Sequence, residues 1–204
     1  MYVCMNESMK VTGTIASWAL TVSLLLVLGY LWGKGEYLWA LSASFIFALA
    51  LLPVAITRRL NVVFPWELLL GVLVVFCLHT WGGALGLYHG EYLDKFMHFL
   101  SSALVALYAL IIVVLVDRYA LKMPMPLPLV AVLILIITMG MGAFWEIGEF
   151  LRDSWFGTRA QRSLADTMGD LVADLIGGGV AAVVGPLYIR TKRRGPVAHR
   201  GTGG

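Results

Sequence analysis

Asp94 and His98 stand four residues apart at the mouth of an apolar stretch. Two further acidic sets follow, Glu146, Glu149 and Asp153, then Asp166, Asp170 and Asp174, at spacings of three and four. Residues so spaced share one face of a helix, so each set reads as a stripe. Like charges one turn apart repel, and carboxylates inside a bilayer are costly unless neutralised. Protonation, a cationic side chain or a bound metal could neutralise them. Carboxylates combined with an imidazole suit a hard or borderline divalent cation, Mg, Mn or Zn. The candidate catalytic residues are therefore Asp94, His98, Glu146, Glu149, Asp170 and Asp174. The candidate metal ligands are His98, Glu146, Glu149, Asp166, Asp170 and Asp174. Arg152, Arg159 and Arg162 are the candidates for gripping an anionic substrate, since guanidinium groups match phosphate geometry. Metal chemistry on a phosphate ester would follow, the ion acting as Lewis acid. Proton relay by the same acids fits the spacing equally well.

An ordinary explanation competes with these. Arg152, Arg159, Arg162 and Lys95 could neutralise part of the set as helix-end ion pairs. Asp166 could N-cap the last helix, with Thr167 and Asp170 in its first turn. Asp174 lies two turns inside that helix and Glu146 nearly two turns from its own helix end, beyond the reach of capping.

Such side chains need a scaffold, and the composition says which kind. Of 204 residues, 60% are hydrophobic and 13% charged, where a soluble domain carries about 25% charged residues. So few charges cannot cover a water-facing surface, and a span needs roughly 20 apolar residues. Six apolar segments are present, approximately 14–32, 38–56, 66–87, 96–116, 127–151 and 164–189, followed by a basic tail over 190–204. The expected fold is all-α, a single integral membrane domain with a bundle of about six transmembrane helices. The short break between the last two makes them antiparallel neighbours.

Basic residues set the orientation. With the N-terminus in the cytoplasm, Lys10, Arg58, Arg59, Arg118, Lys122 and the five tail residues Arg190, Lys192, Arg193, Arg194 and Arg200 fall inside. Lys34, Lys95, Arg152, Arg159 and Arg162 fall outside. Both termini are thus expected to be cytoplasmic, in the cell (inner) membrane, with the acidic stripes at the outer face. The tail reads as a membrane anchor rather than a nucleic-acid site. Cys4 and Cys77 are not expected to pair. Gly140, Gly142 and the Gly177–Gly179 run are expected to permit close helix packing. Glu67 reads as a first-turn helix residue. His79 could line the acidic cavity or donate a hydrogen bond between helices.

Two stretches carry a family resemblance. One is Leu93-Asp94-Lys95-Phe96-Met97-His98-Phe99; the other runs from Gly142 to Gly185 and contains Trp145-Glu146-x-x-Glu149-Phe150 and Asp166-Thr167-x-x-Asp170-Leu171. Together they resemble the YjdF-like family of bacterial and archaeal inner-membrane proteins, and more distantly the VanZ-like proteins. The resemblance covers Glu91 to Gly185 and falls on Asp94, His98, Glu146, Glu149, Asp166, Thr167, Asp170 and Asp174. It implies where a site lies and names no reaction. Three functions are therefore carried forward. The first is metal-dependent processing of a lipid-linked or envelope phosphate, with membrane lipid as partner. The second is a small proton-coupled transporter or permease. The third is a non-catalytic envelope accessory protein.

Overall fold

A chain this apolar satisfies its backbone polar groups internally when it folds into helices. The computed structural model describes residues 7–45, 47, 48, 66–121 and 123–193, and among them there is no strand. The described residues form six α-helices: α1 (Glu7–Lys34), α2 (helical residues 37–45), α3 (Trp66–Ala84), α4 (Glu91–Leu115), α5 (Leu127–Phe156) and α6 (Leu164–Arg193). A 3₁₀ turn, Leu87–His89, leads into α4, and a π-helical turn, Val116–Leu121, leaves it.

Five of the helices are long and apolar enough to cross a membrane: Thr12–Lys34, Glu67–Ala84, Tyr92–Leu115, Leu127–Phe156 and Leu164–Thr191. The expected span over 38–56 coincides with α2 at its start, and residues 49–56 lie outside the described residues, as do Cys4, Arg58, Arg59 and the tail from residue 194. The helices overrun the expected segments, α1 by starting at Glu7 and α5 by continuing to Phe156. Backbone hydrogen bonding carries a helix past the apolar boundary until a residue stops it. Gly157 stops α5: it sits at φ 63°, a left-handed conformation natural to glycine, and its N–H donates to the Asp153 carbonyl at 2.9 Å.

The helices are inverted relative to a water-soluble bundle. Large apolar side chains such as Leu26, Phe45, Ile136 and Val183 point outward, whereas Thr80, His98, Ser102, Thr138, Glu146, Asp166, Asp170 and Asp174 are buried. Lipid is the environment in which that distribution is stable.

The described residues divide into two compact units, one through Met97 and one from His98, the division falling inside α4. In the first unit α1 packs on α3. Its core joins Val27, Leu31, Ala40 and Ala43 with Trp39 and Trp81, and Trp81 Nε1 donates to Ser23 Oγ at 2.9 Å. Glu67 lies in the first turn of α3, and Cys77 is a buried free thiol.

In the second unit α5 and α6 pack as antiparallel neighbours. Thr138 meets Gly178 and Gly142 meets Asp174, so each step of four along α5 is matched by a step back along α6. Glycine makes this approach feasible. A Cβ on Gly142 would collide with the Asp174 carboxylate, and one on Gly177 with the Phe99 carbonyl. Gly140 and Gly179, by contrast, have nothing within 4 Å of a Cβ. One part of the unit is apolar: Ala106, Ala109, Val113, Met125, Val130, Ile134, Ala181 and Ala182. The first turns of α6 and the last turns of α5 carry the polar part.

Candidate functional site

His98 is the hub of the polar part of the second unit. It opens the unit on α4 and is 7% exposed. Its Nδ1 lies 3.2 and 3.3 Å from the two oxygens of Asp174, and Ser102, one turn on, donates to Asp174 Oδ1 at 2.5 Å. When Asp174 is ionised it can only accept, and Nδ1 is then the donor. The opposite nitrogen, Nε2, faces Glu146 Oε1 at 3.6 Å. That separation exceeds an N–H···O hydrogen bond, which closes at about 3.2 Å. Glu146 is 5% exposed, and its Oε1 makes no hydrogen bond. Asp170, 2% exposed, completes the group: one ligand atom each from His98, Glu146 and Asp170 lie within 4.8 Å of one another.

The second oxygen of Glu146 is fixed by the α5–α6 loop. Gln161 Nε2 donates to Glu146 Oε2 at 3.1 Å and to the Glu146 carbonyl at 2.9 Å. Asp153 anchors that loop by accepting from Ala160 N at 2.8 Å, from Gln161 N at 2.9 Å and from the Thr158 hydroxyl. A turn so tethered holds Gln161 over the end of α5.

Asp166, a candidate ligand that could alternatively have capped α6, does not occupy the N-cap position. Helix α6 begins at Leu164, so the cap is Ser163, whose Oγ accepts from Asp166 N at 3.1 Å. Asp166 is the third helical residue; its carboxylate turns back and accepts from Arg162 Nε at 2.9 Å and Arg162 N at 3.4 Å. The arrangement is close to a capping box, with Ser163 and Asp166 in the reciprocal positions. Burial at 4% exposure makes the Arg162 pair its neutralising partner.

Glu149 is half-buried on α5 and accepts from the exposed Trp145 Nε1 at 3.2 Å, outside the His98 group. Asp94 is half-buried one turn before His98 on α4. Arg152 is half-buried and Arg159 is exposed in the loop. His79 belongs to the first unit, in contact with Trp39 and Tyr88, and its Nδ1 lies 2.7 Å from the Tyr88 hydroxyl.

Ser102, Gln161 and Ser163 were not among the residues singled out from the sequence. Ser102 and Ser163 had legible signals, a hydroxyl one turn after the histidine and a Ser-x-x-Asp at a helix start. Gln161 had none, since only the fold of the loop brings it to Glu146.

The chain belongs to the DUF2238 family of predicted membrane proteins, whose family model matches residues 15–191. The YjdF-like proteins are this same family. No curated protein and no solved structure matches the chain. It is a multi-pass integral membrane protein, and its spans live among lipid.

Proposed function

We propose that this DUF2238 protein processes a lipid-linked or envelope phosphate at the polar part of its second unit, on the outer side of the cell (inner) membrane. The observation that carries the reading is the buried run Asp174–His98–Glu146, an imidazole held between two carboxylates within membrane-crossing helices. An imidazole so placed has one nitrogen backed by a carboxylate and the other presented to a reacting group or ion. In hydrolysis, a water oxygen forms the new bond to phosphorus as the P–O bond to the lipid breaks. Glu146, through the oxygen that Gln161 holds, takes the water's proton and passes it to the leaving oxygen. A divalent cation (Mg, Mn or Zn) held by part of the same core would supply Lewis-acid stabilisation. Arg152, Arg159 and Arg162 would grip the anionic headgroup, a role that the exposure of Arg159 in the loop supports.

The outward placement is supported by the basic residues, ten on the side of the termini against five on the other. The apolar block of Ala106, Ala109, Val113, Val130 and Ile134 favours an enzyme over a proton-coupled transporter, since a conducting route would need polar groups there.

Phosphate release from polyprenyl diphosphate and from phosphatidic acid, presented in mixed micelles to the purified protein, tests the proposal. Wild type is expected to release phosphate from one of them. Glu146→Gln and Asp170→Asn should lose at least about 100-fold while remaining folded. Equal rates in wild type and both variants, or solute uptake confined to sealed vesicles with a pH gradient, would overturn it.

A further inference from the structure

We infer that His98 Nε2, Glu146 Oε1 and the Asp170 carboxylate form the seat of a single borderline divalent cation of the Zn or Mn class, while Asp174, Ser102 and Gln161 orient those ligands without touching the ion. The inference rests on the reading of this core as the working site and names what it binds and by which atoms.

The geometry carries it. Glu146 Oε1 is buried, makes no hydrogen bond, and faces a histidine nitrogen 3.6 Å away. Two ligands of a tetrahedral zinc-class ion, each about 2.1 Å from it, stand about 3.4 Å apart. The gap is thus too wide for a hydrogen bond and matches the edge of a coordination polyhedron. The third ligand, Asp170, lies within the same 4.8 Å group. One ion of charge +2 would balance the two carboxylates of this group, in a setting where uncompensated charge is disfavoured.

The surroundings of the three ligands have the form of an outer coordination shell. A metal-binding histidine characteristically donates its other N–H to a carboxylate, which fixes the tautomer and raises ligand basicity. Asp174 stands there, itself fixed by Ser102. Gln161 holds Glu146 Oε2, leaving Oε1 turned to His98. Asp174 and Glu149, both candidate ligands by residue type, are thereby excluded from the seat: Asp174 is spent on Nδ1 of His98, and Glu149 on Trp145. An imidazole in the set selects Zn or Mn over Mg, which prefers all-oxygen ligands and retained waters. Three protein ligands leave a position open for water or a phosphate oxygen.

The test uses full-length protein in detergent, stripped with chelator and reloaded with Zn, Mn or Mg alone, read as metal per chain. About one equivalent of Zn or Mn is expected, with Mg failing to compete at equal concentration. Glu146→Gln and Asp170→Asn should lose it, Asp174→Asn should weaken it by about 10- to 100-fold, and Glu149→Gln should retain it. Cobalt loading of wild type, which needs no variant to fold, should give the intense visible bands of a four-coordinate N/O site. No bound metal in wild type, preference for Mg, or loss in Glu149→Gln would overturn the assignment. Metal without phosphate release would sink the lipid-phosphate reading and leave the seat standing. Phosphate release by wild type that binds no metal would do the reverse.

Discussion

His79 and His98 are both histidines on membrane-crossing helices, and their surroundings could hardly differ more. His79 lies among rings, 5.9 Å from the Trp39 centroid and 5.5 Å from that of Tyr88, with its Nδ1 satisfied by the Tyr88 hydroxyl. Rings of that kind pack against an imidazole by face and edge, so this one works as an amphipathic packing piece. His98 has a carboxylate on each side, one at hydrogen-bonding distance and one just beyond it. An imidazole set between two carboxylates, where the oxygen facing its Nε2 makes no hydrogen bond, is poised for a third participant. The same residue type therefore acts as mortar in one unit and as reagent in the other, and the neighbours decide which.

Alanine at each position gives the widest separation between the two. His98→Ala should abolish metal retention and reduce phosphate release by at least about 100-fold. His79→Ala should leave both within about threefold and lower stability by about 1–2 kcal/mol, from one lost hydrogen bond and lost ring packing. Thermal unfolding in micelles beside the activity assay reads both, and a large activity loss in His79→Ala would break the contrast.

Backbone spacing offers a finer cut through the second unit alone. Gly142→Ala places a methyl against the Asp174 carboxylate, whereas Gly148→Ala projects into open space on the same helix. The first should destabilise by about 1–3 kcal/mol through overpacking and weaken metal binding by displacing the partner of His98. The second should be neutral or stabilising by less than about 1 kcal/mol, since alanine is the better helix former. Similar metal affinities in the two variants would show that Asp174 has no hold on the ligand set.

The smallest change is Tyr88→Phe, which deletes only the hydroxyl facing His79. A loss of about 0.5–1.5 kcal/mol is expected, with phosphate release and metal content unaltered. An altered metal content would mean that the aromatic cluster reaches the chemistry after all.

Much of this was legible from residue order. The apolar segments beginning at Thr14, Trp66, Phe96, Leu127 and Leu164 became the five long helices, because roughly 20 apolar residues in a row admit few other fates. The stripes at spacings of three and four placed Glu146, Asp170 and Asp174 on common faces, and Gly142 and Gly177 marked close approaches. Capping by Asp166, the ordinary alternative to its ligand role, fits any acid near a helix start; the observed boundary at Leu164 gives the cap to Ser163. Glu149 shared the stripe with Glu146 yet faces Trp145, since a stripe spans a wide arc and only its centre is buried.

The sequence by itself determined that this chain is helical, that it lives in lipid, and that its acids fall near the ends of particular helices. Hydrophobic length and helical periodicity are local properties, and a linear string carries them intact. Only the tertiary structure decided which nitrogen of His98 meets which carboxylate, that Gln161 reaches across 15 residues to Glu146, and that Glu146 Oε1 is left 3.6 Å from Nε2. Those relations depend on the register and rotation of α5 against α6 and on the fold of one loop. They change by ångströms with a single methyl, as at Gly142, while the helices that carry them stay the same.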